Sequence, residues 1–223
     1  MYPIQSHHLT VQKTARYYSF GKLNPQTRHL WYVCHGYGQL ASSILSKFTI
    51  LDPDLHYVIA PEGLSRFYWN GFGGKPVAAW MTSEDRDAEI DDYVRYLDQL
   101  HRQTLSLLEQ TVSRGVSVTV LGFSQGVATI SRWLTMGNIR ADRTIFWAGN
   151  LAYDLDKTRA ANIFNNTHLL AVIGKQDPFL DQDAVQKQTA WFDAHGIQHP
   201  EMIWFDGEHE LNKSVIEQLA QMP

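Results

Sequence analysis

Val116-Ser117-Val118-Thr119-Val120-Leu121-Gly122-Phe123-Ser124-Gln125-Gly126 is the stretch whose reading decides the fold. It joins the apolar run Val116–Leu121 to a helical pattern that begins at Gln125. A serine in so sharp a strand-to-helix turn has a strained backbone and an exposed hydroxyl. Side chains two residues to either side would crowd the turn, which explains glycine at 122 and 126. With 15 glycines in 223 residues, chance predicts about 0.06 matches to G-x-S-x-G in the chain. Ser124 is therefore read as a nucleophile rather than as a turn serine without chemistry.

Outward from that turn, short apolar runs alternate with longer amphipathic stretches. Strands are expected at Leu30–Cys34, His56–Ala60, Val116–Leu121, Thr144–Ala148, Leu169–Ile173 and Met202–Phe205. Each is apolar on both alternations, as strands covered on both faces are. Helices are expected at Leu40–Leu51, Glu84–Val112, Gln125–Met136, Gln182–Ala194 and Glu210–Met222. In the second of these, Ile90, Tyr93, Val94, Leu97, Leu100, Leu107 and Leu108 keep the helical period, with Thr82 or Ser83 as its cap and Gly115 past its end. The alternation predicts an α/β fold: a mostly parallel sheet with helices on both faces. Leu9–Gln12 and Ala15–Phe20 are expected to add an N-terminal antiparallel hairpin at a sheet edge.

No repeat, linker or low-complexity segment interrupts this pattern, so residues 1–223 are expected to form a single domain. Two connections are long for such a fold, 61–82 and 149–167. Both leave the carboxyl ends of strands, where open parallel sheets gather their function.

Composition narrows the function. The chain is 44% hydrophobic and 19% charged with a formal net charge of −4, ample for a buried core and without the basic footprint of a nucleic-acid or anionic-membrane binder. No nucleic-acid partner is expected. One cysteine, Cys34, excludes an intrachain disulfide and a cysteine-based zinc site, and it reads as a buried strand residue. The polar N-terminus is unlike a signal peptide and no apolar run approaches the ~18 residues of a membrane span, so the expected location is cytoplasmic. Neither H-E-x-x-H, nor G-x-x-x-x-G-K-[ST], nor G-x-G-x-x-G after a strand occurs, so no metal and no cofactor are expected.

A nucleophilic serine needs a base, and the base needs an orienting acid. Four histidines follow Ser124. His168 precedes a strand, His195 ends a helix and His199 precedes the last strand; only His209 follows a strand, in Phe205-Asp206-Gly207-Glu208-His209. The acid is expected after the strand Leu169–Ile173, in Gly174-Lys175-Gln176-Asp177-Pro178. Asp177 is the first candidate. Asp181 and Asp183 sit where a helix would start, and Asp206 lies close to His209 in sequence. An oxyanion hole needs two backbone N–H groups. Gln125 supplies one as the residue after the nucleophile, and Tyr37 in His35-Gly36-Tyr37-Gly38 is the candidate for the other. His35 reads as a structural hydrogen-bonding residue.

Phe67, Tyr68, Trp69, Phe72 and Trp80, interrupted by Gly71, Gly73 and Gly74, are the candidates for a substrate-binding wall or lid. The alternative is a satellite core under a long loop. Arg66 and Arg86 read as surface or ion-paired cations, with a substrate carboxylate as the alternative partner.

With these residues in place the chain resembles the α/β-hydrolase superfamily, in particular the phospholipase/carboxylesterase family that includes acyl-protein thioesterases. The likeness spans nearly the whole chain from Leu30. It rests on His35-Gly36-Tyr37-Gly38, Gly122-Phe123-Ser124-Gln125-Gly126, Gly174-Lys175-Gln176-Asp177-Pro178 and Gly207-Glu208-His209-Glu210-Leu211. It implies a compact serine esterase with little or no cap domain, acting on carboxylic esters or thioesters through an acyl-enzyme. Val127 stands where the family often has a further glycine, Gln39 where an acidic residue is common, and Ala79-Trp80-Met81-Thr82 only partly matches the family's substrate loop. None of these touches the triad; acyl-protein specificity does not carry over. The rival readings are a small peptidase or amidase using the same triad, and a non-catalytic ligand-binding protein on a hydrolase scaffold.

Overall fold

The structure, a computed structural model, describes residues 3–113, 115–179 and 182–222. Nine strands and six helices are described: β1 (Tyr17–Phe20), β2 (His29–Cys34), α1 (Ala41–Leu45), β3 (His56–Pro61), β4 (Ser65–Tyr68), β5 (Pro76–Ala79), α2 (Arg86–Thr111), β6 (Ser117–Phe123), α3 (Gln125–Met136), β7 (Arg143–Trp147), α4 (Lys157–Phe164), β8 (His168–Gly174), α5 (Gln182–Ala194), β9 (Glu201–Phe205) and α6 (Lys213–Gln221). Seven strands form one sheet in the order β1-β3-β2-β6-β7-β8-β9, and β4 and β5 form a separate hairpin. Every pair from β3 to β9 is parallel.

The continuous apolar runs follow from cover on both faces. In β2, Leu30, Tyr32 and Cys34 pack under α2 and α3 with Tyr93, Leu97, Ile130 and Trp133. The alternate residues Trp31 and Val33 pack under α1 and α6 with Ile44, Ile216 and Leu219. A parallel sheet needs this double cover because its crossover helices lie on its faces. α4 and α5 join α2 and α3 on the first face, through Phe164 and Phe192.

The antiparallel edge expected at the N-terminus is present, but its pairing differs from a self-contained hairpin. β1 bonds to β3, with Tyr17 opposite Pro61 and Phe20 opposite Val58, while Leu9–Gln12 carries no strand and is exposed. The free ladder groups of β3 offer a longer register than a four-residue neighbour could. Other bounds also shift. The helix expected over Leu40–Leu51 stops at Leu45 and continues as turns, and the first residues of the one expected at Glu210 precede the Asn212 cap, whose side chain accepts the Val215 N–H (3.3 Å). α2 starts at Arg86 after Asp85, which has φ 51°. Neither Thr82 nor Ser83 caps it; instead Glu89, in its first turn, reaches back to the Thr82 N–H (2.7 Å). The long connections contain order that periodicity did not reveal: the β4–β5 hairpin lies in the first and α4 in the second, where Asp156 caps the Arg159 N–H (2.8 Å).

His56 sits buried at the start of β3, where its Nδ1 accepts the Trp31 indole N–H (3.2 Å) and its ring stacks on His29 with centroids 4.6 Å apart. Burial, with His29 and Arg143 nearby, lowers its pKa to about 4 against the opposing pull of Asp52. The unfolded chain therefore takes up this proton first, near the ordinary histidine value of about 6.5. Stability is full above that pH and declines by about 3 kcal/mol as the pH falls towards 4. Urea unfolding at pH 7 and 4.5 should show this loss, and His56→Gln, which keeps an acceptor for Trp31, should flatten it.

Candidate active site

β6 runs straight into Ser124, whose φ of 54° and ψ of −119° lie outside the regions a non-glycine residue prefers. The turn is held by backbone: the Ser124 N–H donates to Trp147 O (2.9 Å) and the Val127 N–H to Ser124 O (2.9 Å). The flanking glycines are required by contact. A Cβ at Gly122 would stand 2.3 Å from Gly126 O, and one at Gly126 would stand 2.2 Å from Cys34 O. β2, β6 and α3 thus meet backbone to backbone beneath the serine. Cys34 is fully buried there, and burial pushes its thiol pKa up, so it is inert as a nucleophile.

On the far side, β8 and β9 deliver Asp177 and His209. The His209 Nδ1–H donates to Asp177 Oδ2 (2.8 Å), while Asp177 Oδ1 accepts the Phe179 N–H (2.8 Å). The carboxylate is fully buried and the imidazole one-fifth exposed. The ring packs between Phe123, which precedes Ser124 (centroids 5.0 Å), and Phe179 (4.8 Å). Phe123 and Phe179 were not singled out from sequence, where an aromatic before or after a polar residue carries no signal of its own. The other carboxylates lie elsewhere: Asp206 pairs with Lys175 (2.8 Å), Asp183 sits in the first turn of α5, and Asp181 lies outside the described residues. The other histidines are also engaged elsewhere, His168 with Glu201, His195 with Trp191 O and His199 with Asp193.

The loop after β2 brings Gly36 against the nucleophile: a Cβ there would stand 3.1 Å from Ser124 Cβ. Its peptides are individually fixed. The Gly36 N–H donates to Gln39 Oε1 (3.0 Å), Gly36 O accepts from His35 Nδ1 (2.8 Å), and the Gly38 N–H donates to Ala78 O (3.0 Å). A trans peptide points its N–H opposite to its C=O, so holding Gly36 O turns the Tyr37 N–H the other way. Among the described residues neither the Tyr37 nor the Gln125 N–H donates to a protein acceptor. His35 is buried and structural: its Nε2 accepts the Gly63 N–H (3.0 Å), and burial lowers its pKa, which keeps the ring neutral with one donor and one acceptor. Gln39 was noted only as a departure from a family pattern; the structure gives it this bonding role.

The Gln125 side chain braces the neighbouring loop, accepting the Trp80 N–H (3.2 Å) and donating to Met81 O (2.9 Å). The five aromatic candidates divide. Trp80 belongs to the core: it is buried, stacks on His35 (5.0 Å) and donates its indole N–H to His35 O (2.8 Å). Phe67 and Trp69 stand with Tyr37 at centroid distances of 5.4 and 5.9 Å, and Trp69 covers Gly38. Tyr68 follows Phe67 at the end of β4 and pairs with the fully exposed Phe72 (6.5 Å). Arg66 lies 3.8 Å from Glu62, and Arg86 pairs with Asp154 (2.6 Å) and Asp87 (2.9 Å).

A family model described as "Serine hydrolase (FSH1)" matches residues 33–215. No curated protein matches the chain. Among solved structures, acyl-protein thioesterase 2 of Zea mays is 20% identical with a TM-score of 0.66, over 93% of this chain and 97% of that one. A carboxylesterase of Bacillus cereus is 12% identical with a TM-score of 0.64, over 92% and 91%. A carboxylesterase of Mesorhizobium loti is 14% identical with a TM-score of 0.63, over 89% and 91%. At these identities the likeness establishes a shared fold, the α/β-hydrolase fold.

The backbone packing under Ser124 makes a sharp demand. Gly126→Ala should cost about 1–3 kcal/mol, as overpacking against a carbonyl does. Gly115→Ala, whose Cβ would meet nothing within 4 Å, should stay within about 0.5 kcal/mol or stabilise slightly. Urea titration of both variants checks the contrast.

Proposed function

The chain belongs to the FSH1 serine hydrolase family, and from that premise we propose that it hydrolyses carboxylic esters or thioesters, with Ser124 as nucleophile, His209 as base and Asp177 as the orienting acid. The observation that carries this reading is the 2.8 Å bond from His209 Nδ1 to a buried Asp177 carboxylate, on a ring packed against the residue before a strained serine. With Nδ1 occupied, Nε2 is the free acceptor of the imidazole, as a general base requires.

In the proposed reaction Ser124 Oγ bonds to the acyl carbon as its proton passes to His209 Nε2. The carbonyl oxygen takes the negative charge, held by the Tyr37 and Gln125 N–H groups. Collapse breaks the bond to the alcohol or thiol, which leaves with the proton from His209. Water then adds to the acyl-enzyme, gives its proton to His209, and the carboxylic acid departs as Ser124 recovers that proton. No metal or cofactor takes part in any of these steps. Asp177 keeps the imidazole in one tautomer and stabilises its cation. Each oxyanion donor is worth about 3 kcal/mol in the transition state. Phe67, Trp69 and Tyr37 make an apolar wall for a small-molecule substrate.

Intact-mass analysis after treatment with a fluorophosphonate should show one adduct on the wild type and none on Ser124→Ala. Asp177→Asn should lower kcat on a p-nitrophenyl ester by about 10³–10⁴-fold, because the asparagine amide favours the wrong tautomer. Turnover by Ser124→Ala equal to wild type, or a preference for matched amides over esters, would sink the proposal.

A further inference from the structure

We infer that Trp80 is the positioning residue of the oxyanion hole, tying the two N–H groups that receive the negative charge into one hydrogen-bonded unit. The inference rests on Ser124 being the nucleophile and on the Tyr37 and Gln125 N–H groups being its oxyanion donors. The need for a tie follows from where the two stand. Gln125 opens α3, and its main chain is set by the helix. Tyr37 sits in a loop between Gly36 and Gly38, the second with φ 71°, and a glycine-flanked peptide has many orientations open to it. Among the described residues, no hydrogen bond joins residues 35–39 directly to residues 124–127. Trp80 bonds to both.

The Trp80 N–H donates to Gln125 Oε1 (3.2 Å) and Gln125 Nε2 donates to Met81 O (2.9 Å), so α3 grips the main chain of residues 80–81. On the other side the Trp80 indole N–H donates to His35 O (2.8 Å), which fixes the 35–36 peptide by its oxygen. Gln39 Oε1 holds the N–H of that peptide (3.0 Å). The next peptide carries the Tyr37 N–H. Its oxygen, Gly36 O, accepts from His35 Nδ1 (2.8 Å), and the ring making that bond stacks on the indole with centroids 5.0 Å apart. Trp80 thus sets one peptide directly and the donor's peptide through His35, since a trans peptide points its N–H opposite to its C=O. The indole has little room to move: it is buried, meets Tyr93 edge-on (5.9 Å), and a Cβ at Gly63 would stand 3.1 Å from Trp80 N. A phenylalanine keeps a ring in that space but supplies no donor, and the buried His35 O loses its partner.

Both half-reactions pass through an oxyanion, so kcat on p-nitrophenyl acetate reports the hole whichever is slower. Trp80→Phe should lower kcat about 10–100-fold, less than the outright loss of a donor, with KM within about twofold. Gln125→Met, which keeps the side-chain length without either bond, should act alike. The two changes break one chain of bonds, so the double variant should fall no further than the weaker single variant, whereas independent losses multiply. A second readout is the ratio of inhibition constants for an alkyl methyl ketone and its trifluoromethyl counterpart. With the trifluoromethyl ketone, Ser124 Oγ bonds to the carbonyl carbon, the serine proton passes to His209 and the carbonyl oxygen keeps the negative charge. The methyl ketone binds without that step. The ratio should fall in both variants by about the factor lost in kcat. Phe164→Leu, a core change on α4 that shares none of these contacts, should leave kcat and the ratio within about twofold. Thermal unfolding checks every variant; Gln125 is partly exposed, so Gln125→Met carries the test where Trp80→Phe does not fold. A wild type that labels with fluorophosphonate and separates the two ketones, with neither variant moving kcat or the ratio, or with a multiplicative double variant, overturns the role of Trp80 alone. A wild type that takes no label, or binds both ketones alike, overturns the nucleophile and oxyanion reading and this inference with it.

Discussion

Two neighbouring parallel strands each end in a residue that its own backbone would avoid, and the sheet holds both there. Phe123 and Trp147 are register partners, and the residues after them, Ser124 and Ala148, have φ of 54° and 51°. The N–H of each is still carried by the next strand: Ser124 donates to Trp147 O and Ala148 to Val172 O, both at 2.9 Å. Each such conformation costs about 1–3 kcal/mol in isolation. Here the turning residue keeps its place in the ladder, and releasing the strain would break a buried hydrogen bond worth a similar amount. The glycines complete the constraint, because Gly126 admits the backbone of β2 and Gly149 admits that of Ser124.

From that constraint the loops take their positions. Once Gly126 lies on Cys34 O, the chain leaving β2 must pass over the serine, and Gly36 arrives against its Cβ. What remains is to orient single peptides, and short polar side chains do this: His35 and Gln39 on Gly36, Gln125 on Trp80 and Met81. These bonds act between groups that would otherwise be buried without partners, so their contribution is mainly to exclude other orientations of the loop. The His209–Asp177 pair is treated the same way, with both carboxylate oxygens engaged and the ring wedged between Phe123 and Phe179.

The parts legible in sequence were those with a local signature. Val116–Leu121 followed by Gly-x-Ser-x-Gly exposed the strand, the turn and the helix together, and topology left His209 as the one histidine after a strand. The sheet was legible because strands covered on both faces read as apolar runs. What escaped depended on partners distant in sequence. Trp80 sits among glycines and aromatics in a long connection where sequence left a pocket wall and a satellite core both open; His35 O and the His35 ring, 45 residues away, draw it into the core. α4 has eight residues, too few for a period to emerge. The β-pattern at Ala15–Phe20 was correct for Tyr17–Phe20, but nothing in that segment says that β3, not Leu9–Gln12, will pair with it.

The same division separates reaction from specificity. The groups proposed for the chemistry are fixed by main chain: a ladder bond behind Ser124, glycine contacts beneath it, and N–H donors that no side-chain change removes. The surface proposed to meet the substrate is made of side chains in and beside the β4–β5 hairpin, where Phe67 and Trp69 touch Tyr37 ring to ring. Sequence can therefore drift to 20% identity or below while the fold persists. A chain built this way has to be asked about its substrate through its side chains, because its backbone answers only for the bond that is broken.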